Sequence, residues 1–98
     1  MEYTRTGLYK TGGRGAALKP AEYKKQYRIL LEKLRLARHQ AKLTQAEAAT
    51  AIGKPQSFIS KCESGERKID VVELSELAGL YDKDMDFFIA RSNRRRSA

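Results

Sequence analysis

Tryptophan is absent from the 98 residues, and cysteine and histidine occur once each, as Cys62 and His39. A lone cysteine excludes an intramolecular disulfide framework and fits a reducing compartment. Together with a single histidine it leaves a structural zinc site without its usual ligands. No apolar run approaches the roughly 20 residues that a membrane span requires. The start of the chain carries Arg5 and Arg14 but no apolar stretch of the kind a secretory signal needs. Nucleophile–base sets, phosphate-binding glycine loops and metal-ligand spacings are also missing, so neither an enzyme nor a cofactor is expected. Acidic side chains are scarce as well: 12 against 20 basic ones, a net charge of +8 and a pI near 9.8. A surplus of that size points to a polyanionic partner, of which nucleic acid is the commonest.

Hydrophobic residues make up 41% of the chain and charged ones 33%, with a mean hydropathy of −0.64. That is enough apolar material for one small domain and no more. The charge is unevenly placed. Residues 21–68 carry 11 basic and 5 acidic side chains, whereas residues 69–89 set Lys83 alone against Asp70, Glu73, Glu76, Asp82, Asp84 and Asp86. A basic half is thus followed by an acidic one. Residues 1–20 add +3, and residues 91–98, with Arg91, Arg94, Arg95 and Arg96, add +4.

Four of the seven glycines fall within residues 1–20, where no helical or strand period survives, and the segment reads as a flexible basic arm ending at Pro20. Beyond it, Tyr23, Tyr27, Leu30, Leu34, Ala37 and Ala41 recur at spacings of three and four, the stripe of an amphipathic helix of about 20 residues. Thr44 with Glu47 three residues on makes a capping box for a second helix, whose apolar face is Ala48, Ala49 and Ile52 and which Gly53 ends. Only Lys54 and Pro55 separate it from a third helix with Ile59 and Cys62 inward, closed by Gly65. Two short helices joined so tightly cross steeply, as in a helix-turn-helix. Asp70 and Glu73 cap a fourth helix carrying Val71, Leu74, Leu77 and Ala78, and Asp84 caps a fifth carrying Met85, Phe88 and Ile89. The expected architecture is all-α: five helices over residues 21–90, between the arm and a basic tail at 91–98. At its core position Cys62 reads as a packing residue rather than a redox centre.

The stretch from Thr44 to Gly65, TQAEAATAIGKPQSFISKCESG, resembles the helix-turn-helix of the lambdoid repressor and Cro family. The matching features are Leu43-Thr44-Gln45, Ala49, Gly53, Gln56-Ser57, Ile59-Ser60, and Glu63 followed by Gly65, and the likeness extends over about residues 28–89. It implies a lambda-repressor-like DNA-binding domain whose third helix enters the major groove and meets the base edges. Gln56, Ser57, Ser60 and Lys61 fall on the outward face and are expected to contact bases. Gln45, Lys54, Ser64, Arg67 and Lys68 are expected to hold the DNA backbone. Arg38 and Glu63 match a buried ion pair of the family. Four positions depart from its pattern: Lys42 stands where a glycine commonly ends the first helix, Ala48 where leucine is common, Lys54 where a hydrophobe is common, and Pro55 where a serine or threonine often caps the third helix. Lys42 is therefore expected to take the left-handed conformation at some cost, and Lys54 to snorkel toward DNA.

The expectation is a sequence-specific, double-stranded DNA-binding transcriptional regulator, a repressor acting as a homodimer in the cytoplasm on the nucleoid, with no membrane partner. A second reading is an antitoxin that inhibits a toxin by protein contact and regulates itself through DNA. Polymerase is the other protein partner such a domain could take. A third is a nonspecific nucleic-acid binder working through its tails.

Overall fold

The computed structural model describes residues 18–89; residues 1–17 and 90–98, with most of the expected arm and all of the expected tail, lie outside the described residues. Among the described residues there are four α-helices and no strand: α1 Pro20–Gln40, α2 Gln45–Ala51, α3 Gln56–Ser64 and α4 Val71–Leu80, followed by one 3₁₀ turn, Met85–Phe87.

All but one of the helices start where local chemistry provides for the unpaired amides; α3, after Pro55, has no side-chain cap. Pro20 takes the first position of α1, where no amide is needed. Thr44 Oγ1 accepts from the Glu47 amide at 3.0 Å while the Thr44 amide donates to Glu47 Oε1 at 2.9 Å. Asp70 and Glu73 repeat that reciprocal pair at the start of α4, at 2.8 and 3.1 Å. The expected fifth helix is corrected to a single 3₁₀ turn. Asp84 caps it as expected, accepting from the Phe87 amide at 3.3 Å. Its backbone bonds, however, run from Phe87 to Asp84 and from Phe88 to Met85, the three-residue span of a 3₁₀ helix. Lys33 Nζ donates to the Phe87 carbonyl at 3.2 Å and so ties this turn to α1.

The helix ends share one device. After α2 the Gly53 amide donates to Thr50 O and the Lys54 amide to Ala49 O, with Gly53 at φ 70°. After α1 the Lys42 amide donates to His39 O and Leu43 to Arg38 O, with Lys42 at φ 60°. After α4 the Asp82 amide donates to Gly79 O and Lys83 to Ala78 O, with Asp82 at φ 60°. All three are Schellman closures, which require a left-handed residue. Lys42 takes that conformation as expected; Asp82 does so as well.

The core gathers one stripe from every helix: Leu34 and Ala37, Ala48 and Ala49, Phe58, Ile59 and Cys62, Leu74, Leu77 and Ala78, with Tyr81 and Phe88 closing it. Ala48 and Ala49 are fully buried, so α2 packs into the core with nothing larger than a methyl group at either position. α3 is wedged between α1 and α2, which fixes its direction.

Candidate nucleic-acid interface

α3 has two unlike faces. Phe58, Ile59, Cys62 and Glu63 are buried, while Gln56, Ser57, Lys61 and Ser64 are exposed and Ser60 is half-buried. Hydrophobic burial therefore orients the helix, and the side chains turned outward are polar or cationic.

What holds the helix in rotation is Glu63, a carboxylate only 4% exposed. Arg38 from α1 grips it with a fork, Nε to Oε2 at 2.6 Å and Nη2 to Oε1 at 3.0 Å. The third guanidinium nitrogen, Nη1, donates to Leu43 O at 3.0 Å, tying the pair to the α1–α2 turn. Nη2 also lies 3.5 Å from His39 Nε2. Gln45 Nε2 adds a bond to Glu63 Oε1 at 3.1 Å, and Arg35 Nη2 donates to the Glu63 carbonyl at 3.3 Å. Burial pushes the Glu63 carboxyl up, but the hydrogen bonds from Arg38 and Gln45 and the charges of Arg38 and Arg35 outweigh it and leave it below the usual carboxylate range. Its hydrogen bond raises the Arg38 guanidinium in turn, against the cost of burial.

This network reaches the surface. Gln56 Nε2 approaches Gln45 Oε1 at 3.5 Å. A polar chain thus runs from the buried pair through Gln45 at the start of α2 to Gln56 at the start of α3.

The cationic residues around α3 are placed less uniformly. Lys54, half-buried, sets its Nζ 5.2 Å from the centroid of the Phe58 ring. Arg67 lies over the same ring, Cζ at 4.8 Å, and makes a two-pronged pair with Glu73 at 2.8 and 2.9 Å. Lys68 turns to α1, its Nζ 4.1 Å from the Tyr27 ring and 5.3 Å from Tyr23. The Ser64 hydroxyl donates to Lys61 O and accepts from the Glu66 amide, closing the end of α3. The structure therefore brings Gln45 and Gln56 together, sets Ser57, Ser60 and Lys61 beside them on α3, and engages Lys54, Arg67 and Lys68 with aromatic faces.

Sequence reasoning missed Phe58 and Glu73 as partners of these cations. The signal for Phe58 was present: residues 58, 59 and 62 form one continuous apolar face of a helix. Nothing local indicated that Glu73, already the partner of the Asp70 cap, would also take Arg67 six residues before it.

The sequence model of the helix-turn-helix family matches residues 31–88, from the middle of α1 to the last buried side chain, Phe88. The chain belongs to the Cro/C1-type helix-turn-helix family. It is a DNA-binding transcriptional regulator, and Cro/C1-type domains are generally not enzymes. In Cro/C1 terms α2 and α3 are the two helices of the motif, with α3 the recognition helix. No curated protein and no solved structure matches the chain. Among the described residues no helix is long and apolar enough to cross a membrane, and no group of three or more His, Cys, Asp or Glu side chains is placed to hold a metal ion.

Proposed function

We propose that the chain is a repressor that binds a two-fold symmetric DNA site as a homodimer, reading bases with Gln56, Ser57, Ser60 and Lys61. Gln45, Lys54 and Lys68 hold the backbone beside them. The observation that carries this reading is the polar chain from Arg38 and Glu63 through Gln45 to Gln56. It leads to an amide, able to pair bidentately with adenine, at the N-terminal end of the helix proposed to meet the base edges. The dimer follows from size. A single domain of this kind covers about 600–1,000 Å², and two copies on half-sites about one helical turn apart double both contact and discrimination.

Selection of bound sequences from a random duplex pool, with the stoichiometry measured by sedimentation, tests this. An inverted repeat with half-site centres roughly 10 base pairs apart, bound by two chains, is expected. A single asymmetric site bound by one chain overturns the dimer, and enrichment unaffected by Gln56→Ala overturns the readout. Transcription from a promoter overlapping the selected site should fall when the chain is supplied; a rise overturns the repressor role.

A further inference from the structure

By position alone, three residues past the recognition helix, Arg67 belongs with the cations that hold the DNA backbone. Its guanidinium, however, is already committed. Nη1 donates to Glu73 Oε1 at 2.8 Å and to Lys68 O at 3.1 Å, and Nη2 donates to Glu73 Oε2 at 2.9 Å. One face of the group covers the buried Phe58 ring. The Arg67 amide is bonded too, to Lys61 O at 3.1 Å. Glu73 is equally tied down, since Oε1 also accepts from the Asp70 amide at 3.1 Å and the Glu73 amide donates to Asp70 Oδ1 at 2.8 Å. The hydrogen bonds from Arg67 and from the Asp70 backbone hold the Glu73 carboxyl down at about 2. With three of its five N–H groups in use and one face stacked, the guanidinium, though exposed, has its charge answered by Glu73, with which a phosphate must compete.

We infer that Arg67 is a positioning residue rather than a phosphate ligand, and that Glu73 withholds its charge from the duplex. The clamp joins the end of α3, the loop over residues 65–70 and the start of α4. In this arrangement Lys54, Lys61 and Lys68 supply the cationic contacts around the recognition helix, and Glu73 sets how strongly the protein holds DNA without regard to sequence. The inference rests on the backbone-contact reading above and gives the reason why Arg67 is not part of it.

The test uses the full chain and a fluorescent duplex of random sequence, with affinity measured across a series of salt concentrations. Each neutralised phosphate contributes about 0.9 to the slope of log affinity against log salt. Glu73→Gln keeps an oxygen for the Asp70 amide but loses the charge that holds Arg67. It should steepen the slope by about 0.9 and tighten nonspecific binding several-fold at low salt. Arg67→Gln should leave the slope of the parent chain unchanged, and adding it to Glu73→Gln should restore the parent slope. Glu76→Gln raises the net charge by the same amount from an exposed position on α4 and should leave the slope alone. A slope that flattens by about 0.9 in Arg67→Gln alone overturns the inference, because Arg67 then reaches phosphate past Glu73. An unchanged slope in Glu73→Gln overturns the withholding role, and this variant decides the matter should Arg67→Gln fail to fold. A parent chain that binds the duplex with no salt dependence instead defeats the backbone-contact reading itself.

Discussion

Arg38 and Glu63 sit at the centre of the molecule, 8% and 4% exposed, and their value is geometric more than energetic. Bringing two charges out of water costs about as much as their attraction returns, so the pair as a whole adds little stability, whereas removing one partner strands the other. Arg38→Met should therefore destabilise the fold by about 3–5 kcal/mol at neutral pH, read from urea unfolding. The loss should shrink in acid. Glu63 is held below its ordinary range in the parent, so its contribution is present above the unfolded carboxylate pKa and disappears as pH falls through the folded value; without Arg38 the buried carboxyl prefers its proton. An unchanged melting temperature would show that the pair does not hold α3. Tyr81 makes the opposite case. Its hydroxyl is buried with no hydrogen-bond partner, and burial, aided by the charge of Glu63, pushes it up to about 12. A tyrosine whose folded pKa is raised contributes stability below the unfolded value, near 10, and loses it as pH climbs through the folded one. Alkaline titration should accordingly cost the parent up to about 3 kcal/mol between those limits. Tyr81→Phe should abolish that loss and stabilise the fold at neutral pH by up to about 1 kcal/mol, since no bond is given up. A Tyr81→Phe chain destabilised at neutral pH would mean that the hydroxyl is satisfied.

Among the elements, helix starts were more legible than helix ends. Thr44 with Glu47 and Asp70 with Glu73 are short-range signals, and both capping boxes form as the spacing predicts. The end of α4 carried no such signal, because Asp82 enters the left-handed region only as the backbone closes onto Gly79 and Ala78. The fifth helix is a 3₁₀ turn, and no periodicity within residues 84–89 distinguishes that from one turn of α-helix. The outward face of α3 was legible because it is what remains once the apolar face is assigned. The clamp on Arg67 was not, since it depends on where α4 lands. Lys42 offers a test at this scale. It is exposed and holds φ 60°, a conformation that costs a residue with a Cβ roughly 1–2 kcal/mol, and glycine would recover part of that while giving up more chain entropy on folding. Lys42→Gly should raise stability by about 0.5–1 kcal/mol in urea unfolding. A lower midpoint would mean that the lysine side chain contributes more than the backbone strain removes. At Gly65 the opposite substitution meets an obstacle. A Cβ there would sit 3.0 Å from Leu31 Cδ1 on a backbone at φ 86°, so Gly65→Ala should destabilise, with a lower urea midpoint.

At the scale of the whole molecule the acidic half cancels most of the charge that the basic half, with the recognition helix, carries. Residues 18–89 hold thirteen basic and eleven acidic side chains, a net of only +2, so six of the eight net positive charges lie in the flanking segments. The folded part therefore offers its basic half and its hydrogen-bonding groups to a polyanion, and the flanks add most of the net charge. Removing residues 1–17 and 90–98 should weaken binding to every duplex by a similar factor, flattening the salt slope by about 0.9 for each phosphate no longer neutralised. The ratio of specific to nonspecific affinity should hold nearly constant, because Gln56, Ser57, Ser60 and Lys61 and the Arg38–Glu63–Gln45 chain beneath them all remain. Both quantities come from one titration series on the selected site and on random duplex. The defeating result is a truncated chain that keeps its salt slope but no longer distinguishes its site. Specificity would then reside in the flanking segments, as it does in proteins whose arms read the width and pattern of the minor groove, and α3 would serve to dock the domain while the arm reads the sequence.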